Sequence, residues 1–187
     1  MSTKFFNNRL GNTLFDKLKG IASEMATFDR FLAVVGFFRS SGYFKLRKEL
    51  GDISEIKILV GINIDDIFRK HNKTLLMLAN DDKAKEIYHN GFKEDIVNAQ
   101  YAPEVEEGIL QMCEDLVSGR LQMRIHATKN LHAKFYLCLP QNHSEHSDGW
   151  VIMGSSNISD SGLGIKQLPQ YELNVAMKDF DDVKYCS

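Results

Sequence analysis

With 187 residues, 43% hydrophobic and 26% charged, the chain can form one sizeable domain with its own core. A net charge of −2 excludes a broad electropositive surface, although a local basic patch stays open. No apolar run reaches the roughly 18 residues of a membrane span, and residues 1–15 lack the apolar centre of a signal peptide. Cys113, Cys138 and Cys186 form no C-x-x-C pair, so a reduced, cytoplasmic setting is expected.

Taken in order, Leu10, Leu14, Leu18, Ile21 and Met25 recur at helical spacing and predict an amphipathic helix over 10–25. FLAVVGFF (31–38) is a continuous apolar run of strand length, the pattern of a strand buried on both faces. Arg39, Ser40, Ser41 and Gly42 follow as a polar loop leading into the basic helical segment FKLRKEL. Free N–H groups at such a helix start can hold an anion, which makes Arg39 and Ser41 candidate substrate-binding residues; an ordinary polar turn is the bland alternative. EIKILVGIN begins a second buried strand, over 55–62, and the strand–helix–strand order predicts a parallel pair. Residues 64–100 read as polar and mostly helical, with His71 and His89 on the surface.

Pro103 to Gly119 carries the clearest helix signals: proline at the start, glutamates in the first turn and glycine at the end. Its buried stripe is Val105, Ile109, Met112, Cys113 and Leu116, which makes Cys113 a core residue rather than a nucleophile. Strands follow at 121–126, 133–139, 150–154 and 172–177. His126 shares a face with Arg124 and reads as a rim residue. The expected architecture is a single α/β domain over 1–187, a mixed, mostly parallel sheet of at least six strands with helices on both faces. The chain ends closely after its last strand, so a fragment of a longer polypeptide with downstream domains is expected.

Two polar pairs stand out. His132 and Lys134 are two apart at the head of one apolar run, and Ser155 and Asn157 are two apart at the tail of the next. Residues i and i+2 of a strand share a face, so pairing the two strands would gather an imidazole, an ammonium, a hydroxyl and an amide on one spot. That set suits a phosphate. A second arrangement, a metal held by His132, His143, His146 and Asp148, has loose spacing and no visible support.

The H-A-K and G-S-S-N segments resemble the HKD motif of the phospholipase D superfamily, H-x-K-x4-D-x6-G-[GS]-x-N, at His132, Lys134, Gly154, Ser155 and Asn157. SDSGLG resembles the turn after the motif in the nuclease-like branch, and Glu172 the downstream acid that supports the motif histidine there. The motif aspartate falls on Leu139, and Asp148 stands one residue nearer to Gly154 than the pattern asks. The resemblance implies catalysis without metal or other cofactor. It also implies a homodimer whose two histidines share one site, DNA as substrate, and attachment to a helicase or restriction-type protein.

In that chemistry His132 attacks phosphorus to form a phosphohistidine, and Lys134 and Asn157 donate hydrogen bonds to the non-bridging oxygens. Glu172 fixes the His132 tautomer, and Ser155 orients the phosphate or Glu172. The second histidine protonates the leaving oxygen. The alternatives are a catalytically degenerate nucleic-acid-binding or dimerisation module, favoured by Leu139 and the acidic pI, and a phospholipid-acting enzyme. The lipid reading lacks an amphipathic membrane-binding face.

Overall fold

The computed structural model describes residues 4–64, 103–126, 131–144, 146–147, 149–166, 170–178 and 183–184. The helical segment expected at 64–100, with His71 and His89, lies outside the described residues, as do Asp148 and Cys186.

The described chain runs β1 (Lys4–Asn7), α1 (Leu14–Glu24), β2 (Phe28–Phe38), α2 (Ser40–Leu50), β3 (Glu55–Ile64), α3 (Pro103–Val117), β4 (Leu121–Ile125), β5 (Phe135–Pro140), β6 (Trp150–Gly154) and β7 (Leu173–Met177). All seven strands form one sheet in the order β1-β7-β6-β5-β2-β3-β4. The pairs β2–β3 and β3–β4 are parallel. The pairs β1–β7, β2–β5, β5–β6 and β6–β7 are antiparallel. The sheet is thus mixed but mostly antiparallel, which corrects the parallel majority expected from the sequence. Parallel neighbours need a long crossover, which α2 supplies for β2 and β3. The short segment 141–149 between β5 and β6 can only turn back, so those strands run antiparallel.

β1 was not foreseen. It is a four-residue edge strand with Phe5 74% exposed, so it carries no burial pattern to read. α1 begins later than its apolar spacing implied. The Thr13 hydroxyl accepts from the Asp16 N–H (3.1 Å) and the Asp16 carboxylate accepts from the Thr13 N–H (3.0 Å), a capping box that starts the helix at Leu14. Leu10 is left outside it, exposed to solvent.

Alternate residues of the central strands feed two cores. Phe31, Ala33 and Val35 of β2 and Ile56, Ile58 and Val60 of β3 pack with Leu14, Leu18, Leu46 and Met112 from the three described helices. Leu137 and Leu139 of β5 and Val151 of β6 point to the opposite face, with Val183 against them. The helices α1, α2 and α3 share the first face, while Val183, helical in the described pair 183–184, packs against the second.

α2 and α3 are joined by a buried ion cluster that the apolar stripe gave no sign of. Asp115 is fully buried and accepts from Arg47 Nε (2.6 Å), Arg47 Nη2 (3.2 Å), the Tyr43 hydroxyl (3.2 Å), Gln111 Nε2 (3.2 Å) and Arg120 Nη1 (3.2 Å). Burial, then the Asp115 charge, pushes the Tyr43 hydroxyl well above its usual range, so it stays a neutral donor. Val105, expected in the core, is 42% exposed, while Gly108 lets α3 close on the Phe44 ring. Cys113 is core as expected, its thiol pushed up to about 12 by burial and Glu114.

Removing one partner of such a pair strands the other charge in the interior. Asp115→Ala should cost about 3–5 kcal/mol of stability, whereas Asp115→Leu combined with Arg47→Met should recover most of that loss. Urea denaturation of the three proteins measures both effects.

Candidate active site

The C-terminal ends of β2 and β6 and the N-terminal ends of β5 and β7 lie together at one end of the sheet. There the chain leaves regular structure in two short polar segments, 131–134 and 155–158. They bring His132, Lys134, Ser155, Asn157 and Glu172 into one cleft of about 590 Å³, with Arg39, Phe37 and Tyr171 on its walls. His132 and Lys134 precede β5 rather than lying on it, and Ser155 and Asn157 follow β6. The sequence placed these pairs on strands; they occupy the strand ends instead.

Lys134, Asn157 and Ser155 are held by backbone groups. Lys134 is 6% exposed, and its ammonium donates to the His132 carbonyl at 2.7 Å. Burial pulls the Lys134 pKa below the usual lysine value, and the Glu172 carboxylate partly opposes the shift. Asn157 Oδ1 accepts the Phe37 N–H at 2.9 Å. Only the oxygen can take that bond, which leaves the NH₂ of this cleft residue as its donor group. The Leu173 N–H donates to Ser155 Oγ (3.0 Å), which leaves the hydroxyl proton for Glu172 Oε2. Glu172 therefore binds Ser155, in contrast to the His132 contact that the resemblance implied. The His132 ring is exposed and makes no hydrogen bond among the described residues.

Ser156, which sequence reasoning passed over, anchors the second segment from below. It is fully buried; its hydroxyl accepts from Asn174 Nδ2 (2.9 Å) and its carbonyl from the Tyr136 hydroxyl (2.7 Å). Two glycines allow the close approach. A Cβ at Gly154 would stand 2.5 Å from the Leu173 carbonyl oxygen, and one at Gly36 would stand 2.8 Å from that of Leu131. Neither carbonyl can move without shifting a site segment.

The other candidates fall elsewhere. Arg39 lines the cleft and gives one N–H to the Phe38 carbonyl (3.0 Å). Ser41 does not line it. The helix already begins at Ser40, and Ser41 faces a separate depression beside Phe44, Lys45 and Lys48. His126 follows the edge strand β4, bonded through its backbone N–H to Val60 O (2.8 Å), and is not among the cleft residues. His143 follows Pro140 at the far end of β5, so it lies more than about 17 Å along the sheet from His132. Among the described residues no three His, Cys, Asp or Glu side chains gather as a metal site. Leu139, where the motif has its aspartate, is fully buried in the second core.

An exposed imidazole, a buried ammonium, an amide and a hydroxyl thus line one cleft, which is large enough for a phosphate and the groups attached to it. Over 93% of its length the chain is similar in structure to yeast tyrosyl-DNA phosphodiesterase, at 13% identity and a TM-score of 0.48. For a histidine-to-asparagine mutant of that protein the TM-score is 0.49, again at 13% identity over 93% of the chain. In both cases the chain spans 31% of the yeast protein's length. No protein-family profile matches the chain, and the comparison with curated proteins finds no match. An overlap this distant leaves function to the chemistry of the cleft.

The buried ammonium has a direct signature. In a pH titration followed by NMR, the Lys134 side chain should lose its proton at lower pH than the exposed lysines. Titration together with them would mean that solvent reaches it.

Proposed function

We propose that this chain is a metal-independent phosphodiesterase of nuclease type with His132 as nucleophile. The observation that carries this reading is the pairing of an accessible His132 with a buried Lys134 and an Asn157 amide in one cleft. A phosphodiester resists attack because its oxygens are negative. Lys134 and Asn157 place a cation and an N–H donor where that charge grows, and donors fixed beforehand are worth roughly 10²–10³ in rate each. The cation comes from the protein itself, so charge neutralisation calls for no added ion.

Neutral His132 forms the P–N bond as the P–O bond to the leaving group breaks. The leaving oxygen must take a proton, and the phosphohistidine is then cleaved by water, which must lose one. One group can do both in turn: the imidazole of a second subunit's His132, across a two-fold axis. The exposure of His132 at the mouth of the cleft favours that arrangement. Glu172 holds Ser155 in place, and Arg39 is positioned to hold the substrate backbone. The proposed substrate is nucleic acid, with DNA preferred on the resemblance alone. A tie to a helicase or restriction-type protein has the same basis.

Leu139 favours a second reading, a catalytically degenerate binding or dimerisation module. The two separate in one assay. Cleavage of an activated phosphodiester should persist in chelator, vanish in His132→Ala, and fall by roughly 10²-fold or more in Lys134→Ala and in Asn157→Ala. No turnover by the parent would support the binding module, and parental rates in a stable His132→Ala protein would remove the catalytic assignment of His132.

The active species should be a dimer with both His132 rings within a few Å of one phosphorus. Cross-linking through cysteine at position 132 in solution tests this geometry. A monomer that still cleaves would place the acid elsewhere in the same chain.

A further inference from the structure

The cleft carries two features that phosphate chemistry leaves unused. Phe37 and Tyr171 are large rings, 41% and 66% exposed, on its walls. Neither exposure follows from simple strand alternation. In β2 the inward positions are Phe31, Ala33 and Val35, and strict alternation would bury Phe37 next. A register shift against β3 between Val35 and Phe37 reverses the phase, so that Phe38 is fully buried and Phe37 turns outward. The Phe37 backbone is fixed by its bond to Asn157. Tyr171 is steadied by Asn7, whose Nδ2 donates to the phenol oxygen at 3.0 Å.

The two rings flank the site. Phe37 is at the end of β2 and Tyr171 just precedes β7, with β6 and β5 between them. Three inter-strand spacings put these strands about 14 Å apart, with Lys134 and Ser155 in the interval. Charge is sparse by comparison. Among the described residues the cleft is lined by Lys134 and Arg39 as its lysine and arginine, beside the anionic Glu172, in a chain of net charge −2. Duplex DNA is held mainly through many phosphate contacts, which this lining does not offer. A single strand with unstacked bases gains its affinity from aromatic faces, whatever its sequence.

Resting on the phosphodiesterase reading, the geometry points to a single-stranded polynucleotide as substrate, with the nucleotides on either side of the scissile phosphate stacked on Phe37 and Tyr171. Ser159, Ser161 and Gln170, also on the wall, offer hydrogen bonds to sugar or base edges. Duplex must fray before it can enter.

The test uses the full chain carrying His132→Ala, so that bound strand is not cut. Fluorescence anisotropy compares a short labelled single strand, as DNA and as RNA, with a duplex and with an abasic sugar-phosphate oligomer of equal length. The single strand should bind more tightly than both. Phe37→Leu and Tyr171→Leu should each cut the ratio of base-bearing to abasic affinity by about tenfold, and together remove it. Phe37→Tyr and Tyr171→Phe, which keep the rings, should retain the ratio, and thermal melts identify any variant that fails to fold. Equal or tighter binding of duplex, or a ratio unmoved by both leucine variants, overturns the proposal. If the parent cleaves an activated nitrophenyl phosphodiester while no oligomer shows base-dependent binding, the substrate class is wrong and the phosphodiesterase reading stands. If the parent cleaves none of these, that reading fails and the substrate proposal falls with it.

Discussion

Everything at the cleft depends on how two irregular polar segments cross the end of an apolar sheet without leaving buried backbone groups unpaired. An orphaned buried amide or carbonyl costs about as much as a lost hydrogen bond, and here several must be matched at once. The solution is to borrow partners from the strands. Phe37 N–H meets Asn157 Oδ1, the Tyr136 hydroxyl meets the Ser156 carbonyl, and the Ile158 carbonyl accepts the Arg39 N–H at 2.9 Å. Each bond that completes the fold also fixes a site group, so the cleft is held in shape before any ligand arrives. Gly36 and Gly154 are part of the same constraint, because a side chain at either would push a site segment off the sheet.

This dependence explains what could be read in the sequence. β2, β3, β4 and β6 are runs whose composition and length agree with their burial, and their predicted bounds lie close to the observed ones. His132, Lys134, Ser155 and Asn157 were legible as two spaced pairs, and one cleft does contain them. The supports were not legible. Ser156, Asn174 and Asp115 look like ordinary polar residues, and only the third dimension shows that they are buried and bonded. Ser41 failed for the opposite reason: the turn-like R-S-S-G sequence hides a helix that has already begun, with Gly42 packed on the Ser159 backbone. The parallel majority failed because the two crossover pairs, β2–β3 and β3–β4, are outnumbered by the four antiparallel pairs that β5, β6, β7 and β1 form.

Among the described residues two cations are buried, in two different ways. Arg47 meets a carboxylate in bidentate fashion, and its remaining N–H groups include one given to the Gly51 carbonyl at 2.7 Å. That cluster is closed and reads as a structural tie between α2 and α3. Lys134 meets a backbone carbonyl, and Glu172 is engaged by Ser155, so the desolvation of its ammonium is only partly compensated. Binding an anionic oxygen would relieve that deficit. A chain with net charge −2 can thus attract a phosphate locally, through one under-neutralised cation rather than through a charged surface.

The proposed mechanism also asks the cleft for an acid. Expelling an alkoxide needs a proton donor within reach of the leaving oxygen. Lys134 cannot give its proton without removing positive charge at the moment when the phosphoryl oxygens need it. Glu172 already accepts the Ser155 hydroxyl, and that hydroxyl proton is committed to it. Asn157 carries no ionisable proton. In the proposed mechanism His132 is already used as the nucleophile. His126, the neighbouring candidate in sequence, is carried away by the edge strand β4, beyond β2 and β3 from the cleft. Of the cleft's other hydroxyl groups, the Tyr171 phenol, which accepts from Asn7 Nδ2, is the remaining candidate acid within one chain. Under the proposed mechanism the exposure of His132 has a use: a ring at the rim, outside the hydrogen bonds that hold its neighbours, can be reached by a second copy of the chain.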